Sequence, residues 1–85
     1  MSNEKTVLDC KDIAERYGIG RDKAYKLMRQ IAYVNGGAAI PGKLLLSEIE
    51  FFEASRGRRP GEIAPPTEEK IQNWTIQQMM EARKV

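Results

Sequence analysis

The chain has 85 residues, room for one small domain and not two. It carries 14 Lys and Arg against 12 Asp and Glu, a net charge of +2, with no His and one Cys, Cys10. That excludes imidazole acid–base catalysis, Ser–His triads, His–Cys zinc sites and an internal disulfide, and points to a reducing, intracellular setting. Apolar runs are only a few residues long and Met1 to Asp9 is polar, so neither a membrane span nor a signal-peptide core is expected. The near-neutral total hides two basic blocks, +5 over residues 16–43 and +3 over 56–59. Locally basic blocks in a balanced chain suit a polyanion met on one face.

Residues 1–6 are polar and read as a flexible N-terminus. Asp9 can cap a first helix, because its carboxylate accepts from the backbone N–H groups that follow. Cys10, Ile13, Ala14 and Tyr17 then share one helical face, and Gly18 supplies the left-handed residue that ends it. A second helix starts at Gly20, with Ala24, Leu27, Met28 and Ile31 at the same spacing. Only Gly18, Ile19 and Gly20 separate the two, so the helices pack at a steep angle.

Beyond Ile31 the pattern reads as β. Ile31 to Val34 favours a strand, Asn35-Gly36-Gly37 and Pro41-Gly42 are turn signals, and Leu44 to Leu46 can return. A β-hairpin over residues 32–46 is therefore expected. Ser47 with Glu50 fits a capping box for a third helix, whose apolar face is Ile49, Phe51 and Phe52 and which ends near Ser55. Residues 56–66 form a basic, Pro-rich linker. Thr67 can cap a last helix over 68–83. It carries Ile71, Trp74, Met79 and Ala82 on one side and Ile76 and Met80 on the other. A helix apolar on two sides has more than one neighbour, or a partner.

On the second helix, the face opposite Ala24, Leu27, Met28 and Ile31 carries Asp22, Lys26 and Arg29, flanked by Lys23, Tyr25 and Gln30, with Arg21 in the first turn. Arg21 and Lys26 suit base edges, and Lys23, Tyr25 and Arg29 suit phosphates. Asp22 either accepts from a cytosine amino group or complements the helix dipole. Such a face is also what an ordinary solvated helix presents, and the Tyr25 ring also suits partial burial. Cys10 reads as a small core residue. Glu48, Glu50 and Glu53 read as a capping box and a solvated face, with no further group to make them an acid–base site.

The spacing Ala14, Gly18, Ile19, Ala24, Leu27 resembles a helix-turn-helix DNA-binding motif. The hairpin and the helix opening Ser47-Glu48-Ile49-Glu50 extend that resemblance, over residues 7–55, to winged-helix proteins of the excisionase and MerR-like superfamily. The family more often has Ser or Thr at Gly20 and Thr at Asp9, both capping residues. Its wing more often carries Arg or Lys at the tip than this Gly- and Ala-rich one.

The resemblance implies a mainly α chain with a short β-hairpin (α+β), a winged helix-turn-helix domain at 7–55 plus a C-terminal helix at 67–85. It implies a sequence-specific double-stranded DNA-binding protein without enzymatic activity or cofactor. Contacts are expected from Arg21, Asp22, Lys23, Tyr25, Lys26 and Arg29 in the major groove, and from Gly36, Gly37 and Lys43 in the wing. The run Arg56, Arg58, Arg59 is partly like an AT-hook for the minor groove, or else a solubilising linker. An excisionase-like role on a mobile element or phage would add an integrase or recombinase partner. Trp74, Ile76 and Met80 would then form its contact surface, unless Ile71 and Trp74 simply fold back onto the core. A small transcription regulator of the same fold, and a protein-interaction adaptor using the C-terminal helix, are the rival readings. Self-association on DNA, no small-molecule ligand, no membrane contact, and a cytoplasmic, nucleoid-associated location in a bacterium or phage-infected cell complete the expectations.

Overall fold

A computed structural model describes residues 6–38 and 41–82, with the side chain of Ala82 left aside. The order is β1 (Val7–Leu8), α1 (Cys10–Tyr17), α2 (Arg21–Asn35), β2 (Leu44–Leu45), α3 (Leu46–Ala54) and α4 (Glu68–Ala82). It is mainly helical with one antiparallel pair of strands, as an α+β chain should be. Among the described residues no helix is long and apolar enough to cross a membrane. The N-terminal flexibility expected over residues 1–6 lies outside the described residues except at Thr6. Ala39 and Ile40 in the expected wing and residues 83–85 of the expected C-terminal helix also lie outside the described residues.

The helix pair forms from the local chemistry that the sequence displays. The Asp9 carboxylate accepts the Asp12 N–H at 3.0 Å, and Asp12 reciprocates on the Asp9 N–H at 3.1 Å. Gly18 sits at φ 63°, left-handed, and its N–H closes onto the Ala14 carbonyl. Ile19 also donates to that carbonyl, at 3.0 Å, which turns its side chain onto the core. Gly20 precedes α2 in extended conformation with no side chain to cap it. Ile13, Ala24, Met28, Ile31, Leu44 and Ile49 are buried in one core that ties α1, α2, β2 and α3 together, with Leu8 of β1 beside them.

The expected hairpin over 32–46 does not form. Residues 32–35 continue α2, and β2 pairs instead with β1, Val7 opposite Leu45 and Leu8 opposite Leu44. The cause is burial on every side. Ile31, Ala32, Tyr33 and Val34 are all buried, Ile31 in the main core and Tyr33 and Val34 in a second cluster with Ile71. A helix segment enclosed all round loses its polar face and reads in sequence like a buried strand.

The third helix also starts two residues earlier than the Ser47–Glu50 box implies, with Leu45 at its N-cap. Glu48, not Glu50, reaches back to accept the Leu45 N–H at 2.9 Å. Its inner face is Ile49 and Phe52, whereas Phe51 lies exposed.

The linker is folded onto the domain. The Arg59 guanidinium stacks 3.8 Å from the Tyr33 ring centroid and its Nε donates to the Tyr33 carbonyl at 2.8 Å. Glu62 accepts from the Tyr33 hydroxyl at 2.9 Å and from Lys70 Nζ at 3.2 Å. Thr67 Oγ1 then accepts the Lys70 N–H at 3.2 Å, the cap expected for α4. Ile71 and Trp74 seat α4 on Tyr33 and Val34, with the Trp74 ring edge-on to Tyr33 at 5.4 Å. Buried Thr75 returns its hydroxyl proton to the Ile71 carbonyl. Past Thr75 the helix leaves α2 behind, and Ile76, Met79 and Met80 are exposed. Met79, expected beside Ile71 and Trp74, is thus on an overhang that α2, ending at Asn35, does not reach.

A candidate nucleic-acid interface on helix α2

Ala24, Met28 and Ile31 anchor one side of α2 in the core, so its other side faces outward over the first turns. Arg21, Asp22, Lys23, Tyr25, Lys26 and Arg29 are all exposed there. Asp22, Lys26 and Arg29 share one stripe at helical spacing. The next position on that stripe, Tyr33, is only 3% exposed, because the linker and α4 cover it. The outward basic surface is therefore confined to the N-terminal half of the helix.

Within it the Arg21 guanidinium lies 5.8 Å from the Tyr25 ring centroid, and Tyr25 itself is exposed rather than buried. Asp22 lies in the first turn, where a carboxylate complements the helix dipole. Cys10 packs on the core, and its Sγ lies 3.7 Å from the Arg21 carbonyl at the start of α2.

An open groove of about 520 Å³ runs beside this face, with Lys11, Arg21, Tyr25 and Gly42 on its walls. It brings the end of the loop before β2, with exposed Lys43 next in sequence, to the N-terminus of α2. Lys11 is a basic residue that the sequence reading passed over. Its signal was its place in the first turn of α1, one residue past the helix start.

Gly36 and Gly37 lie elsewhere. Gly36, at φ 70°, ends α2, and Gly37 donates to the Ala32 carbonyl at 2.8 Å. These N–H groups cap the helix about 22 Å from its start, given the rise per residue. They are not brought to the Arg21 end.

The three arginines of the linker also separate. Arg56 is exposed, in left-handed conformation at φ 56°. Arg58 donates to the Ser55 carbonyl and Arg59 is held on Tyr33, both half-buried. A groove-binding segment would need these guanidinium groups turned outward, and two of them are engaged internally. Trp74 is likewise half-buried on Tyr33, while Ile76 and Met80 stay exposed.

Besides Asp22, an acidic residue from another helix meets the basic face. Glu68, first in α4, pairs with Lys26 Nζ at 3.3 Å. Lys26, Arg29 and Glu68 line a groove of about 160 Å³ between α2 and α4. No family, no characterised protein and no solved structure matches this chain.

Proposed function

We propose that this chain is a sequence-specific double-stranded DNA-binding protein of helix-turn-helix type that places the N-terminal half of α2 in the major groove. The observation that carries this reading is the exposure of Arg21, Lys23, Tyr25, Lys26 and Arg29 on one helix whose opposite face is fixed by the α1 turn. Arg21 can take guanine O6 and N7 in bidentate fashion, and Lys26 can reach a base acceptor. Lys23, Tyr25 and Arg29 hold phosphates, joined by Lys11 on the neighbouring groove and by exposed Lys43, next in sequence to its wall residue Gly42. No catalytic step is assigned to the protein. The resemblance to excisionases favours a role in directing recombination on a mobile element or phage. A promoter-bound regulator of the same fold is the alternative.

The test is fluorescence anisotropy of a labelled mixed-sequence duplex at several salt concentrations. Five to seven phosphate contacts give a log–log slope of about −5 to −6. Selection from a random duplex pool then yields the site. Absence of binding at low salt rejects the reading.

A second reading has its own observation. Ile76, Met79 and Met80 are exposed on the α4 overhang, and residues 71–80 carry no charge in a chain that is 31% charged. Loss of charge is the compositional mark of an interface centre. Under this adaptor reading, Ile76→Asp with Met80→Asp removes function and Lys26→Glu with Arg29→Glu leaves it intact. DNA binding predicts the reverse.

A further inference from the structure

Glu68 lies where a DNA-binding face gains nothing from a negative charge. Its position is fixed by packing, not by a loose chain. Thr67 caps the helix it opens, and Ile71 and Trp74 seat the next turns on Tyr33 and Val34. The carboxylate thereby meets Lys26 at 3.3 Å, in the middle of the basic stripe. Both side chains remain mostly exposed, 62% for Lys26 and 73% for Glu68, so each can exchange its partner for an external group. An anion that approaches Lys26 or Arg29 through their shared groove meets Glu68 on the wall.

We infer that Glu68 restrains non-specific DNA affinity by pairing with Lys26 and so keeping it from backbone phosphate. The inference rests on the DNA-binding reading of α2. Non-specific affinity comes from phosphate neutralisation, which is common to every duplex. A phosphate must displace the Glu68 carboxylate to reach Lys26, and it leaves two anions close together when it does. That cost falls on every duplex alike, whereas a base acceptor placed for Lys26 offsets it only at a matching site.

The test compares Glu68→Gln, Glu69→Gln and wild type on a labelled mixed-sequence duplex at low and high salt. Glu69 shares the first turn of α4, so its replacement makes the same change in net charge. Glu68→Gln is expected to bind about two- to fivefold tighter at low salt, the scale of an exposed ion pair. Glu69→Gln gains less, and the difference shrinks as salt rises. In a Lys26→Gln background, Glu68→Gln gains no more than Glu69→Gln does. Equal gains from the two Glu variants in the wild-type background, or no gain from Glu68→Gln, overturn the inference while wild-type binding upholds the DNA reading. Failure of wild type to bind at low salt overturns both. Circular dichroism of each variant establishes that α4 is retained.

Discussion

The Arg59 guanidinium covers the face of the Tyr33 ring while its Nε donates to the carbonyl of the same residue. One side chain thus meets one residue twice, through its ring and its backbone. Tyr33 in turn donates from its hydroxyl to Glu62 and takes the edge of Trp74. The linker and the first turns of α4 are held on α2 largely through this tyrosine, with Val34 beside it.

Replacing Arg59 with Ala removes a charge-assisted hydrogen bond and a stacked cation together. The expected loss is about 1–3 kcal/mol. Arg59→Lys keeps the charge but not the planar fork, and loses most of the same amount. Urea titration followed by Trp74 fluorescence measures both. A variant that unfolds at the wild-type midpoint removes Arg59 from the account of how α4 docks.

Acid should loosen the same region. The Tyr33 hydroxyl, and after it Lys70, hold the Glu62 carboxyl below its ordinary range. A carboxylate depressed in the folded state contributes stability above its unfolded value, and that contribution is lost as pH falls through the folded value. The Trp74 signal should therefore become more sensitive to urea as pH drops below the ordinary carboxylate range. Glu62→Gln should flatten this component of the acid response. An unchanged acid profile in Glu62→Gln would assign the acid response to other groups.

Asn35 was read from sequence as a turn residue, yet it closes α2 and bridges two elements. Its Nδ2 donates to the Ile31 carbonyl and to the Glu48 carbonyl, each at 2.9 Å. Asn35→Ala should cost about 1–2 kcal/mol, and Asn35→Asp more, because a carboxylate then faces two carbonyl oxygens. Thermal unfolding should register the first as a fall of roughly 4–16 °C, given the sensitivity of domains this small. Equal melting of the Ala variant and wild type would show that the bridge to α3 contributes nothing.

Gly20 offers a gain. It precedes α2 without a side-chain cap, its φ is ordinary, and a Cβ there meets nothing within 4 Å. Gly20→Ser can supply the missing acceptor for an α2 N–H and should stabilise by a few tenths of a kcal/mol. A melting point at or below that of wild type would count against this capping geometry.

On the basic face the two kinds of contact should part company. Arg21→Ala should lower affinity by about 1–3 kcal/mol and relax preference at one base pair. Lys23→Ala should weaken all duplexes alike and reduce the salt slope by about 1. Binding to the selected site and to mixed sequence, measured side by side, separates them. Uniform weakening by Arg21→Ala would move that residue to the phosphate group.

Where a residue's job is local, the sequence displayed it. Asp9, Gly18 and Thr67 each act on backbone groups within a few residues, and each sits in the cap that its chemistry favours. Burial of Ala24, Met28 and Ile31 followed from their spacing. The misread places depend on distant partners. Tyr33 and Val34 lack an outward polar face because α4 and the linker cover them, while Ile31 beside them belongs to the main core. Leu44 and Leu45 announce a strand but not that Val7 and Leu8 pair with it. The charge run at Arg56 to Arg59 likewise does not say that Arg59 will turn back onto an aromatic ring. The candidate contacts on α2 were legible because they needed only a helix and a buried opposite face. Glu68 was not, since its meeting with Lys26 depends on how α4 docks.

The pairing of β1 with β2 bears on the order in which the molecule assembles. Leu8 meets Leu44 across a segment that includes α1 and α2 entirely. Two short strands do not repay the closure of so long a loop unless the helices have already drawn its ends together. The sheet should therefore form late in folding, after α1 and α2 have packed. Substitutions at Val7 or Leu45 should then accelerate unfolding while leaving the folding rate nearly unchanged.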